Sequence, residues 1–180
     1  MRVVPSASLS ASHSNAPLHE NLKFQVLVDG VSAGFAGTTA MSALMLLNDR
    51  FLFVAQTDLV TDLRRVIYIL TGWKPTFLLG WLFHLIFGSY VLGCSFAVLS
   101  NYLGGRPAIR GLLFGFGIWL LQMVTAFPVL GYGLFGYGSA LGPTEALASL
   151  ALNLVYGLVL GLAFDSVHVT RRPRYSMESM

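Results

Sequence analysis

The sequence predicts an all-α, polytopic membrane protein: a four-helix bundle, read as a parallel repeat of two helical hairpins, with an amphipathic surface helix between spans one and two. Three observations carry that fold class. Of 180 residues, 55% are hydrophobic and only 11% charged, against about 25% charged in a soluble domain, so the chain lacks the polar groups to cover a water-facing surface. Four apolar runs recur along it, each near the roughly 20 residues that a hydrocarbon core requires. The alternating pattern of a membrane barrel is absent, and a closed barrel is the only other spanning architecture that satisfies its own backbone.

Residues 1–24, MRVVPSASLSASHSNAPLHENLKF, are rich in Ser and Ala and have no period. They predict a flexible tail without the apolar stretch of a signal peptide. The membrane domain then occupies 25–168. Its first span covers about 31–47 and closes on Asn48-Asp49-Arg50.

The next stretch places Leu59, Leu63, Val66, Ile67 and Leu70 on one helical face over about 58–70. Asp58, Asp62, Arg64 and Arg65 fall largely off that stripe, and Trp73 and Lys74 follow as interface anchors. This helix is expected on the membrane surface or as a cap on the bundle, with docking to a partner as the alternative.

The second span, 77–99, has no formal charge; the third, 111–127, meets Pro128, which stops or kinks a helix. The fourth covers about 146–164 after Gly142-Pro143-Thr144-Glu145, where Thr144 suits an N-cap. The loop GYGLFGYGSALG (131–142) reads as an interfacial cap with Tyr132 and Tyr137 as belt residues, and 169–180 as a basic tail.

Basic residues set the expected orientation. With four spans, Arg2, Lys23, Arg106, Arg110, Arg171, Arg172 and Arg174 share one side, and Arg50, Arg64, Arg65 and Lys74 the other. The positive-inside rule then predicts both termini in the cytoplasm of a bacterial inner-membrane protein.

An internal repeat runs through the spans. Gly30-VSA-Gly34-Phe35 in the first matches Gly111-LLF-Gly115-Phe116 in the third. His84-LIF-Gly88 in the second matches Asn153-LVY-Gly157 in the fourth, followed by Gly93 and Gly161. The halves differ in length by 12 residues, which the amphipathic insert supplies. Small residues at this spacing let helix backbones approach closely in lipid, where no hydrophobic drive joins them. Gly30, Gly34, Gly111, Gly115, Gly157 and Gly161 are therefore the expected helix-packing positions. His84, Gln122, Thr125 and Asn153 are the expected polar interior.

Chemistry is sparse. No H-E-x-x-H, G-x-S-x-G or phosphate loop occurs. The lone Cys94 rules out an intrachain disulfide or a cysteine metal cluster, so no catalytic or metal-ligating set is assigned. His84, between Gly80 and Gly88 in GWLFHLIFG, is the one intramembrane imidazole. Its first reading is a neutral group hydrogen-bonded to Asn153, Gln122 or a threonine.

The second reading is axial ligation of a haem or bacteriochlorophyll, with Gly80 and Gly88 clearing space and Trp81 as a wall. The third is a proton or solute path that also uses Asp29 and Asp165, both placed at span ends. The leading functional expectation is a non-catalytic accessory or assembly subunit of a larger membrane complex, plausibly bioenergetic. A tetrapyrrole protein and a small oligomeric transporter follow. Expected partners are the lipid bilayer and other membrane subunits or copies of itself, with no nucleic acid.

The early G-x-x-x-G-F span and the H-x-x-x-G-x-x-x-x-G of the second form a pattern with Trp119, Met123, Pro128, Gly131, Gly133 and Phe135. Over about 26–165 this pattern resembles a group of small bacterial four-span proteins classed only as a domain of unknown function. The resemblance implies an inner-membrane location and transfers no activity. It also implies a histidine at the fourth-span polar position, where this chain has Asn153.

Overall fold

The computed structural model describes residues 16–51 and 58–178, with side chains described over 23–48 and 58–168. Helix α1 spans Ala16–Phe51, α2 Leu59–Thr71, α3 Phe77–Leu99, α4 Pro107–Val129 and α5 Pro143–Glu178. Four segments are long and apolar enough to cross a membrane: Lys23–Asn48, Phe77–Leu99, Pro107–Val129 and Pro143–His168. The chain is a multi-pass membrane protein.

Helix begins at Ala16, inside the stretch expected as a tail; residues 1–15 of that stretch lie outside the described residues. The C-terminal stretch likewise continues α5 to Glu178.

Local chemistry fixes the ends. Asp58 caps α2 by accepting from the Thr61 amide at 2.9 Å, and Gly72, at φ 73°, closes it in the left-handed conformation. In α5 the first helical residue is Pro143, ahead of the expected Thr144 cap, a position where the missing amide costs nothing. Pro128 acts earlier than its own position. It has no amide for the carbonyl four residues back, and α4 breaks at Thr125 (φ −117°, ψ −71°) before one last turn.

Two glycine seams close the hairpins. In the first, α1 lies on α3 through Gly30 and Gly34 against Gly93, Gly88 and Ser89. A Cβ on Gly30 would stand 2.6 Å from the Gly93 carbonyl oxygen. In the second, α4 lies on α5 through Gly111 and Gly115 against Gly157, Gly161 and Asn153. The repeat read from the sequence is thus matched by equivalent contacts, Gly30 and Gly34 standing to α3 as Gly111 and Gly115 stand to α5.

The halves differ in one residue of spacing. Gly157 and Gly161 are four apart, whereas Gly88 and Gly93 are five apart. A π-helical turn over Phe87–Leu92 takes up the extra residue and returns Gly93 to the face that meets α1.

A strict twofold repeat would make the α1–α5 and α3–α4 seams alike. Only the first is closed: α1 packs along α5, while α3 and α4 scarcely meet. They touch at the end that carries the chain termini, where the Phe96 and Phe114 rings lie 5.2 Å apart and Phe164 stands 5.5 Å from Phe96. Toward the other end they separate, and α2, the insert that breaks the repeat, lies over the gap.

Candidate functional site: a cleft between α3 and α4

The open seam encloses a cleft of about 280 Å³. Its walls are mostly apolar, with His84, Phe87 and Leu92 from α3 facing Ile118, Leu121 and Gln122 from α4. Thr38 and Met41 of α1 and Asn153 and Tyr156 of α5 form the floor, and Leu59, Asp62, Leu63 and Val66 of α2 the lid. Phe87 and Leu121, 49% and 58% exposed, form a rim on the outer surface of the bundle. The cleft therefore opens sideways, on the outer surface of the bundle.

The four residues expected in the polar interior, His84, Gln122, Thr125 and Asn153, all line this one cleft, but Thr125 is exposed and so is not interior. Their bonding differs from the expected pattern. Asn153 donates through Nδ2 to Gln122 Oε1 at 3.1 Å and to the Ser149 carbonyl at 2.8 Å. Thr125 returns its hydroxyl to the Leu121 carbonyl at 2.6 Å. His84 joins none of them, and its Nε2 is shielded from solvent without a hydrogen-bond partner among the described residues. The bond expected from His84 to Asn153, Gln122 or a threonine is not formed: Asn153 and Gln122 pair with each other, and Thr38 and Thr125 turn their hydroxyls to carbonyls of their own helices.

The glycines beside His84 do not clear a macrocycle. The space over Gly80 holds the stem of Arg64 and Val60 from α2, and that over Gly88 holds Thr38 from α1. Trp81 stands edge-on to the imidazole at 5.9 Å. The residues beside His84 thus do not fit a haem or chlorin, and the glycines are accounted for by close helix contact. Cys94 is half-buried and free.

Above the cleft a polar cluster ties the lid down. Tyr132 donates to Asp62 Oδ1 at 2.9 Å and accepts from Arg65 Nη1 at 2.8 Å, while the Arg65 guanidinium also lies 5.6 Å from the Tyr132 ring centre. Burial pushes the Asp62 carboxyl up to about 6, with nearby Glu145 adding to the rise and Tyr132 and Arg65 opposing it. Burial and the Asp62 charge push the Tyr132 phenol up to about 12.

This cluster was not expected. The sequence puts Asp62 off the apolar stripe, and the structure corrects that, because it is 9% exposed and lines the cleft. Its position three residues after Leu59 and four before Val66 was the available signal. Tyr132 is likewise turned inward, whereas Tyr137 is exposed as a belt residue is.

The two aspartates placed at span ends also have partners. Asp29, 1% exposed, lies 3.2 Å from His168 Nδ1, and Asp165 pairs with Arg110 at 3.3 Å. Both pairs sit at the terminal end, beyond the phenylalanine cluster. Among the described residues no group of three His, Cys, Asp or Glu is placed to hold a metal ion.

No curated protein and no solved structure matches the chain. One family does, over residues 24–175, a range that takes in all four spans, the lid helix and the cleft. On that match the chain belongs to DUF6789, a family of unknown function.

Proposed function

We propose that the chain is a non-catalytic binding component of a bacterial inner membrane, and that its working part is the cleft between α3 and α4. One observation carries this reading: an apolar cleft, into which His84, Gln122 and Asn153 converge, opens on the lipid-facing side of the bundle. Its size lies near the lower end of small-molecule pockets, about 300 Å³, and its mixture of apolar walls with a few polar groups is theirs. The occupant is a small lipophile that enters from the bilayer. The basic residues support cytoplasmic termini, which puts α2 and the cleft on the opposite side.

A second reading keeps the chain as an accessory or assembly subunit of a larger membrane complex. It is favoured because both glycine seams are used inside the bundle, which leaves the cleft as a break in the outer surface with room for a partner's side chains. A small carrier is less supported, since Phe96, Phe114 and Phe164 close the terminal end of the seam.

Mass spectrometry of the protein released from native membranes tests the proposal. The expected result is one chain with a retained small lipophile, lost when Ala126→Phe, at a lining residue in the last turn of α4, fills the cleft. Wild type that carries nothing, or that migrates only with a large complex, overturns it in favour of the subunit.

A further inference from the structure

We infer that the cleft selects a neutral lipophile whose polar end is a hydroxyl or carbonyl, held by His84 and Gln122, and that it rejects charged headgroups. This deepens the binding reading above and rests on it.

The argument starts from what the cleft lacks. Among the described residues lining it there is no Lys or Arg. The two arginines of the lid helix are engaged elsewhere: Arg65 on Tyr132, and Arg64 on the Pro75 carbonyl at 3.1 Å and near the Phe77 ring. An anionic head would lose its hydration with no counter-charge in return. A cationic head fares no better, because Asp62 is the sole acidic group among the described lining residues and its charge already faces Arg65 and the Tyr132 hydroxyl.

What the cleft offers is uncharged. His84 lines the cleft with its Nε2 unpartnered but covered in this conformation, and a neutral imidazole turned toward an occupant presents that atom as donor or acceptor according to its tautomer. Asn153 uses both Nδ2 protons, on Gln122 and on Ser149. In that arrangement Gln122 keeps an amide N–H to donate and Asn153 a carbonyl oxygen to accept. A hydroxyl uses both kinds of partner, and a ketone or quinone carbonyl accepts from Gln122 and the Nε2–H tautomer. His84 lies seven residues into α3, roughly 10 Å along the helix. The polar end sits at that depth, and the chain leaves between Phe87 and Leu121.

The test uses the full-length protein in nanodiscs and five ten-carbon probes: decane, decanol, 2-decanone, decanesulfonate and decyltrimethylammonium. Decanol and 2-decanone should bind at least about tenfold more tightly than either charged probe, the usual consequence of leaving a buried polar group unpaired or a charge uncompensated. Gln122→Met, close in shape, and His84→Phe should each weaken the two neutral polar probes several-fold and leave decane unchanged.

Equal or tighter binding of a charged probe overturns the inference while the cleft reading stands. So does an unchanged preference in Gln122→Met, which keeps the test valid if His84→Phe misfolds. Failure of every probe, decane included, removes the cleft as a binding site and the inference with it.

Discussion

Tyr156 of α5 donates a hydrogen bond of 2.8 Å to the carbonyl of Gly88, inside the π-helical turn of α3. The second and fourth spans are equivalent in the repeat, yet here one side chain joins them across the bundle, with the phenol 1% exposed. Tyr156→Phe should cost about 0.5–1.5 kcal/mol, the range for such bonds in a bundle, read as a lower unfolding midpoint in detergent.

The glycine seams should be the least tolerant positions of the chain. A side chain at Gly157 meets the backbone of Gly111 and Gly115, whereas Gly117, on the same helix as those two, has open space. Gly157→Leu should therefore lower stability by about 3 kcal/mol or prevent folding. Gly117→Leu should stay within about 1 kcal/mol of wild type. Thermal unfolding of the two variants side by side gives the comparison.

Asp62 makes stability fall as pH rises. Its folded carboxyl sits at about 6 against an ordinary 3.8, so between those values the folded state holds more proton than the unfolded one. The stability linked to it is full below about pH 4 and is lost as pH climbs through 6. Asp62→Asn keeps an acceptor for Tyr132 and removes the ionisation. The wild-type-minus-variant difference should thus shift by about 1–2 kcal/mol between pH 4 and pH 7, measured by chemical unfolding at each pH. A flat difference would refute the assignment.

Tyr132→Phe removes the hydroxyl shared by Asp62 and Arg65. The lid helix should loosen, with amide exchange over 59–71 faster by roughly tenfold, while α1 and α5 exchange as in wild type. Unchanged protection in α2 would show that its apolar face alone holds it down.

The spans were legible because each is an unbroken apolar run ended by Pro, Gly or charge, and the seams because the glycines repeat in order through both halves. What the sequence hid depends on distant partners. Asp62 looks solvent-facing until Tyr132, 70 positions away, is brought to it. Asp29 looks interfacial until His168, 139 positions away, covers it.

The π turn was half visible. Five residues from Gly88 to Gly93 against four from Gly157 to Gly161 marked an irregularity, but a constant helical step carries Gly93 off the α1 face. His84 misled for a related reason. Its glycine neighbours suggested empty space, and that space is filled from other helices, by Arg64 and Val60 on one side and Thr38 on the other.

On the proposed function, a cleft with its rim at Phe87 and Leu121 samples a two-dimensional solvent. The concentration that governs its filling is a mole fraction among lipids, and a lipophile scarce in water is plentiful there. Modest intrinsic affinity is then enough for high occupancy, and exchange proceeds by lateral diffusion in the leaflet. Affinities for this protein are best expressed per mole of lipid, since an aqueous dissociation constant would combine the site's preference with the ligand's partitioning into the bilayer.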